Sequence, residues 1–230
     1  MIEELEKIFK IKINNQNLFK KALTHPSYTT ENNLSYFENY ERLEFFGDAV
    51  LKLAVSKKLL IKYKDLHEGD LTKIRAILVS DATLFKIVEK LGINKLIIMG
   101  KNADKTGGRK LQSINACTFE ALLGAFYLDG SEKEIYEFLD NVFEENITDV
   151  KEHFAVYNAK EVLQEYTQAQ DGTQPVYKLI ETKGPDHAPV FVMNVIFQNR
   201  ILATAEGKSK KAAEQKCAYE ACVKLGVINE

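Results

Sequence analysis

The chain of 230 residues is long enough for one large or two ordinary domains, and its 45% hydrophobic content is typical of a folded protein. Its 31 Lys and Arg residues nearly balance 33 Asp and Glu residues, so the net charge of −2 gives no overall sign of nucleic-acid binding. Three cysteines without paired spacing argue against a disulfide framework, and the lack of a signal-peptide core or a bilayer-length apolar run predicts a soluble, cytoplasmic protein without membrane contact.

Residues 1 to about 147 are predicted to form successive helices, because their apolar residues recur at helical spacing. The helical patterns cover the residues around Leu18 and Leu23, Glu38 to about Tyr63, Leu71 to Leu91 in one or two helices, Ser113 to Asp129, and about Glu132 to Asn146. A polar, glycine-bearing stretch from Gly100 to Lys110 predicts a loop.

The long pattern after Glu38 contains three carboxylates, Glu41, Glu44 and Asp48, at offsets 0, 3 and 7. At about 3.6 residues per turn they share one helix face, where like charges destabilise an isolated helix by roughly 0.2–0.5 kcal/mol per pair. One interpretation is a solvated acidic stripe. The apolar residues between the acids favour a second interpretation, in which the carboxylates hold a cation. Oxygen ligands suit Mg²⁺ or Mn²⁺ rather than Zn²⁺.

The pattern from Ser113 to Asp129 is strongly apolar and carries one acid, Glu120, well inside it. Taken alone, such an acid is more often a salt-bridged core residue than a ligand. Together with the three carboxylates of the earlier helix, Glu120 is a candidate for a complementary ligand.

The pattern of apolar and polar residues changes after a charge-rich stretch, Thr148 to His153, which is interpreted as part of a linker. The predicted elements that follow are a helix at Ala159 to Gln168, strands at Val176 to Thr182, Val190 to Phe197 and Ile201 to Glu206, and a helix at Ser209 to Leu225. The last helix begins beside Lys208, Lys210 and Lys211, where exposed backbone N–H groups favour phosphate. A merely solvated lysine cluster is the alternative.

The segment Glu41-Arg-Leu-Glu-Phe-Phe-Gly-Asp-Ala-Val-Leu51 resembles the signature of the ribonuclease III family. Two flanking segments agree with this resemblance, namely Ala22-Leu-Thr-His-Pro-Ser27 and Glu68-Gly-Asp-Leu-Thr-Lys-Ile-Arg-Ala-Ile-Leu-Val79. The segment from Ser113 to Gly124 is similar to the family's second acidic helix. The α-β-β-β-α order of the C-terminal part resembles the double-stranded-RNA-binding domain. The resemblance therefore implies an all-α nuclease domain at residues 1–147, a linker at 148–157 and a small α+β RNA-binding domain at 158–227.

The resemblance also implies an activity: endonucleolytic hydrolysis of double-stranded RNA, leaving 5′-phosphate and 3′-hydroxyl ends, in the processing of ribosomal precursors or messenger RNA. Mg²⁺ is the implied cofactor, and Mn²⁺ can substitute. By resemblance, Glu44 and Glu120 are metal ligands, and Glu120 and Asp48 are catalytic, with Asp48 orienting or activating the attacking water. Glu41 and Glu68 are supporting acids near the metal or its water shell.

Similar RNA-binding domains contact successive minor grooves and read shape rather than base sequence. The residues that match these minor-groove positions are Lys160 and Gln164 on the first helix and His187 in the loop Gly184-Pro-Asp-His187. Lys208, Lys210 and Lys211, at the start of the last helix, match the lysines that bridge phosphates across the major groove. Taken alone, His187 is an ordinary surface histidine.

The chain departs from the family pattern at Cys117, where that pattern has an Asp that serves as a further metal ligand. A thiol is a poor ligand for Mg²⁺, which demands oxygen. Asn115 cannot replace that Asp, since two residues along a helix turn the side chain by roughly 200°. Either the metal takes a water instead of the missing oxygen, or the site is weakened.

Family members act as homodimers, and Phe45 corresponds to the aromatic residue that inserts into the partner's pocket. A plain core phenylalanine is the local alternative. Two functions remain open at this point: a double-stranded-RNA endoribonuclease, favoured by the retained acids, and a catalytically weakened double-stranded-RNA-binding protein, favoured by Cys117 alone.

Overall fold

The computed structural model describes residues 1–152, 154–185 and 188–228, without the side chains of 149, 151, 152 and 155–157. The chain divides into two compact units, Met1–Thr148 and Asp149–Glu230. In the described part of the chain, no helix is both long enough and apolar enough to cross a membrane. The two units differ in secondary structure: the first is helical and the second contains both helices and strands.

The first unit is helical. Its α-helices are α1 (Ile2–Phe9), α2 (Gln16–Ala22), α3 (Pro26–Glu31), α4 (Glu41–Lys62), α5 (Glu68–Leu78), α6 (Asp81–Leu91), α7 (Lys101–Lys105), α8 (Gln112–Leu128) and α9 (Glu132–Glu152). Short 3-10 turns connect several of them. Helix α8 is the centre of the unit, because it packs against α2, α4 and α6 and its side chains are buried on every face. An apolar helix of this kind is expected in the middle of a bundle.

The second unit is α+β. Its elements are α10 (Phe154–Asp171), β1 (Val176–Lys183), β2 (Val190–Phe197), β3 (Arg200–Gly207) and α11 (Lys210–Lys224). The strands form an antiparallel sheet in the order β1-β2-β3, with Asn194 paired to Lys178 on one side and to Thr204 on the other. Helix α11 packs on the sheet and against α10. Small residues of α11, such as Ala213, Ala218 and Ala221, let it approach Val195 closely in the core.

The predicted fold class, an all-α domain followed by a small α-β-β-β-α domain, is confirmed. The predicted helix ending near Asn146 instead continues to Glu152 as α9. The physical reason is that Phe143, Ile147 and Val150 recur at helical spacing and are all buried. The residues assigned to a linker, 148–157, belong to α9 and α10 on either side of residue 153, which lies outside the described residues. The domain boundaries 1–147 and 158–227 stay a prediction.

Candidate functional site

The start of α4 is anchored by the segment between α2 and α3. The amide of Tyr40, the residue that precedes α4, donates to the carbonyl of Thr24 at 3.0 Å. The Tyr40 ring packs edge-on against His25, with centroids 5.6 Å apart. The imidazole of His25 in turn accepts from the amide of Ser27 at 3.0 Å and so caps α3. These contacts fix the position of the first turn of α4, which carries Glu41 and Glu44.

Helices α4 and α8 meet backbone to backbone at two glycines. A Cβ atom on Gly47 would lie 1.7 Å from the carbonyl oxygen of Glu120, and one on Gly124 would lie 2.5 Å from the carbonyl oxygen of Leu43. No larger residue fits at either place without moving a helix, since real Cβ atoms do not approach so closely. This close contact brings the acids of α4 beside the acid of α8.

Four of the predicted acids line one open cavity of about 560 Å³. Its lining residues are Tyr36, Glu41, Glu44, Phe45, Asp48, Ala49 and Glu120. The carboxylates of two separate helical patterns in the sequence, now α4 and α8, therefore meet in one cavity. A larger groove of about 790 Å³, bordered by α1, α6 and α9, contains none of the predicted site residues.

The cavity is strongly negative. Burial, together with the nearby charges of Asp48 and Glu44, raises the pKa of Glu120 to about 8, while Lys52 acts in the opposite direction. Lys52 forms an ion pair with Asp48 at 2.8 Å, one turn away on α4. Asp81, the first residue of α6, contributes further to raising the pKa of Glu120. Such mutual repulsion is relieved when a cation enters the site.

Glu41 and Glu68 have different surroundings. The hydroxyl of Tyr36 donates to the carboxylate of Glu41, and this bond raises the pKa of Tyr36. The Oε2 atom of Glu41 is buried and has no hydrogen-bond partner among the described residues. Glu68 is exposed at the start of α5, where it accepts from the hydroxyl of Thr72 at 2.9 Å, and it is not among the cavity-lining residues.

Cys117 lies beside the same acids. Its thiol lies near the carboxylate of Glu44 and the hydroxyl of Tyr40. Burial and the neighbouring charges of Glu44, Glu120 and Asp81 raise the pKa of Cys117 to about 12. Burial also raises the pKa of Tyr40. The Tyr40 hydroxyl, the Cys117 thiol and the Glu44 carboxylate therefore lie close together.

Sequence reasoning missed Tyr40, Asp81 and the glycine pair. Asp81 follows Ser80, whose side chain caps α6, so that dipeptide is typical of a helix start and gives no signal of a site. Gly47 and Gly124 each lie in an apolar helical pattern. An interior glycine in such a pattern signals close packing, so these two positions could have been found from the sequence.

The lysines proposed to bind RNA are exposed at the start of α11. Lys208 lies just before the helix, and Lys210 and Lys211 are in its first turn. The hydroxyl of Ser209 caps the helix by accepting from the amide of Ala212 at 3.1 Å. Gly207 ends β3 directly against this turn, because a Cβ there would lie 2.4 Å from the amide nitrogen of Ala213.

Lys160 and Gln164 lie on α10 and are partly buried. The ammonium of Lys160 forms an ion pair with Glu214 of α11 at 2.6 Å and lies 4.6 Å from the centre of the Tyr177 ring. The structure thus places Lys160 in contacts within the second unit. His187, the remaining residue of the predicted RNA-binding set, lies outside the described residues.

Phe45 is 82% exposed at the cavity rim, so it is not a core residue of the isolated chain. Other large apolar side chains near it are also exposed, namely Tyr36, Phe37 and Leu128. Together with Leu18 and Phe46 they line a second open depression of about 680 Å³. A cluster of exposed apolar side chains of this kind is typical of interaction surfaces.

Comparison with known proteins follows the same division of the chain. The family described as Ribonuclease-III-like matches residues 15–146, and the double-stranded RNA binding motif matches residues 159–225. Ribonuclease 3 of Staphylococcus haemolyticus is 38% identical over 98% of this chain and 94% of its own length. Ribonuclease 3 of Natranaerobius thermophilus is 41% identical over 90% of each chain.

The fold has a solved counterpart as well. The nuclease domain of ribonuclease III from Campylobacter jejuni, described as flexible in a region involved in dimer formation, is 35% identical and superposes with a TM-score of 0.58. The match covers 64% of this chain and 98% of that domain. With two Ribonuclease 3 relatives aligned over most of their length, the resemblance seen in the signature helix is confirmed, and the chain belongs to the ribonuclease III family.

Proposed function

We propose that this protein is an endoribonuclease that hydrolyses phosphodiester bonds in double-stranded RNA. The observation that carries the proposal is the cavity in which α4 and α8 bring Glu44, Asp48 and Glu120 together, in a chain whose second part matches a double-stranded RNA binding motif. The first part supplies chemistry at a phosphate and the second part supplies recognition of the duplex.

The family's divalent metal fits the donors present, though not their exact arrangement. The cavity offers carboxylate oxygens that repel one another, and the buried Oε2 of Glu41 lacks a partner, which suits an oxygen-preferring cation such as Mg²⁺ or Mn²⁺. In the described residues, however, no group of three or more His, Cys, Asp or Glu side chains is arranged to hold a metal ion. When bound, the metal supplies Lewis-acid stabilisation of the phosphate and an activated water.

The protein's own side chains take distinct roles in this proposal. Glu44 and Glu120 would hold the metal, and Asp48, whose carboxylate is paired with Lys52, would orient the attacking water. Glu41, in the first turn of α4, would be a supporting acid. Glu68 acts only if its side chain leaves Thr72, because in this structure it does not line the cavity. The products carry 5′-phosphate and 3′-hydroxyl ends.

For RNA binding, we assign phosphate contacts to Lys208, Lys210 and Lys211. These side chains are exposed at a capped helix N-terminus, where lysines and backbone N–H groups favour the same anion. We also assign a minor-groove contact to Gln164 on α10. Lys160 is already paired with Glu214, and it contributes by holding α10 against α11.

The homodimer is part of the proposal. The exposed cluster around Phe45, with Tyr36, Phe37 and Leu128, offers an apolar surface beside the cavity. A second copy that covers this surface places two acidic cavities next to one interface, which suits a duplex with two strands to cut. In the cell, ribosomal precursors and messenger RNA are the proposed substrates, and the cytoplasm is the proposed location.

The test is a cleavage assay on long duplex RNA, with Mg²⁺, Mn²⁺ or EDTA, alongside duplex binding in Ca²⁺. We expect cleavage in Mg²⁺ and Mn²⁺, none in EDTA, and no cleavage of single-stranded RNA of the same sequence. Duplex binding without cleavage in either metal would instead identify a catalytically weakened double-stranded-RNA-binding protein.

A further inference from the structure

His25 connects two parts of the first unit that lead to the acidic cavity. Its Nδ1 atom accepts from the backbone amide of Ser27 at 3.0 Å and lies 2.7 Å from the hydroxyl oxygen of the same residue. That hydroxyl oxygen accepts from the amide of Gly100 at 3.0 Å. The His25 ring also packs against Tyr40, the residue before α4, with centroids 5.6 Å apart. His25 therefore contacts the start of α4 directly and reaches Gly100 through Ser27.

Gly100 begins the segment that leads into α8. This segment, residues 100–111, contains α7 and a 3-10 turn. A Cβ atom on Gly100 would lie 2.7 Å from the carbonyl oxygen of Ser27, so the contact with α3 leaves no space for a larger residue. Further along, the side-chain amide of Asn115 in α8 donates to the carbonyl oxygen of Arg109 at 3.0 Å. The segment is thus bonded to Ser27 near one end and to α8 near the other.

The contacts of His25 require a neutral imidazole with its proton on Nε2. A backbone amide only donates, so the Nδ1 atom that faces the amide of Ser27 must carry a free lone pair. Burial lowers the pKa of His25, although the nearby charge of Glu41 on α4 acts in the opposite direction. The neutral form is therefore favoured at neutral pH. The Ser27 hydroxyl then donates to Nδ1 while it accepts from Gly100, which completes the link.

We propose that His25 is a positioning residue for RNA cleavage, which in its neutral Nε2–H form holds the start of α4 and the segment leading into α8 in a fixed relation. The inference rests on the proposed function, because α4 and α8 carry the acids of the cavity. His25 itself does not line that cavity, so it acts through its contacts with Tyr40 and Ser27. A ring that only fills space beside Tyr40 is the alternative role.

Three variants of the full-length protein distinguish these roles. His25→Ala removes the acceptor, His25→Asn keeps an acceptor oxygen near the Nδ1 position, and His25→Gln, the matched control, places its amide near the Nε2 position instead. In single-turnover cleavage of duplex RNA in Mg²⁺, we expect His25→Ala and His25→Gln to be roughly 10- to 100-fold slower than wild type, since misplacing catalytic groups by about 1 Å has effects of this size. His25→Asn should recover most of the rate.

Duplex binding in Ca²⁺ should be unchanged in all three variants, because the link concerns the geometry of the acids and not the affinity for RNA. Equal cleavage rates of His25→Asn and His25→Gln would overturn the proposal, because the position of the acceptor would then not matter. A loss of duplex binding as large as the loss of rate would overturn it as well.

A second measurement needs neither RNA nor cleavage. The nuclear magnetic resonance shifts of the imidazole nitrogens in ¹⁵N-labelled protein show which nitrogen carries the proton. At neutral pH we expect the Nε2–H form for His25, whose signals are identified by their loss in His25→Asn. A proton on Nδ1 would contradict the proposal, because the amide of Ser27 could then not donate to that atom.

The rate measurement also separates this inference from the proposed function. If the wild-type protein cleaves duplex RNA and His25→Ala cleaves it equally fast, the inference fails and the proposed function stands. No cleavage by the wild-type protein would refute the proposed function and this inference with it.

Discussion

At the scale of single residues, the two proposed catalytic acids have different surroundings. Asp48 is paired with Lys52 on the surface of α4, whereas Glu120 is partly buried among like charges. We expect Asp48→Asn or Glu120→Gln to abolish cleavage while duplex binding in Ca²⁺ survives, because only metal and water chemistry is removed. Duplex cleavage in Mg²⁺ and a gel-shift titration check this. Mg²⁺-dependent activity in both variants would place the active site elsewhere.

Glu120→Gln also has a signature in stability. Because the pKa of Glu120 is raised to about 8 in the folded protein, the folded state holds a proton that the unfolded chain loses at ordinary carboxyl pKa values. In EDTA the wild-type protein should therefore lose stability as pH rises from about 4.3 to 8, since the unfolded state binds fewer protons there. The neutral variant should show a flatter profile by urea unfolding over that range.

Cys117 is the residue at which the proposed metal site departs from the family pattern. Replacing it with Asp adds a hard, anionic oxygen beside Glu44, so we expect faster Mg²⁺-dependent cleavage and a lower Mg²⁺ requirement. The wild-type enzyme should be relatively more active in Mn²⁺ than in Mg²⁺. Single-turnover cleavage of one duplex across a Mg²⁺ titration measures both effects. No gain in Cys117→Asp would mean that the missing oxygen comes from another group.

At the scale of elements, the contact between α4 and α8 brings together the acids of the proposed catalytic site. Gly124→Ala would push a methyl group onto the carbonyl of Leu43, so we expect a loss of about 1–3 kcal/mol in the free energy of unfolding and a larger loss of cleavage. Gly69→Ala in α5 is the matched control, because open space surrounds that position and alanine should add roughly 0.5–1 kcal/mol of helix stability. Equal effects of the two substitutions on the free energy of unfolding and on cleavage would show that the contact between α4 and α8 tolerates a larger side chain.

The first turn of α11 carries the proposed phosphate-binding lysines. Replacing Lys208, Lys210 and Lys211 together with Ala should weaken duplex binding and reduce the slope of log K against log salt by about one unit for each phosphate that is no longer neutralised. Lys160→Met should leave that slope unchanged, because its ammonium is already paired with Glu214. Fluorescence anisotropy at several salt concentrations distinguishes the two variants. A reduced slope in Lys160→Met would show that Lys160 binds phosphate after all.

Much of this architecture is local in sequence and could be predicted. Glu41, Glu44 and Asp48 share a face by helical spacing, and the predicted strand at Val190–Phe197 has the observed bounds. What could not be predicted depends on contacts between distant residues. The pairing of Lys160 with Glu214 depends on how α10 meets α11, and the approach of Asp81 to Glu120 depends on how α6 meets α8.

At the scale of the whole molecule, Phe45 tests the proposed homodimer. The side chain is 82% exposed in the single chain, so Phe45→Glu should leave the fold intact. In a dimer it would place a charge in an apolar pocket, and we expect the variant to be monomeric by sedimentation. Ile180→Glu, at an exposed apolar position on β1 in the other unit, is the matched control and should leave the dimer intact. A dimeric Phe45→Glu would remove Phe45 from the interface.

The contact of α4 with α8 also has a consequence during protein synthesis. Ribosomes complete α4, with Glu44 and Asp48, before they complete α8, with Glu120, because α5, α6 and α7 lie between them in the chain. A nascent chain therefore carries half of a catalytic site and cannot close it until α8 has emerged and packed at Gly47 and Gly124. The order of translation thus leaves the acidic site incomplete until more than half of the chain has been made.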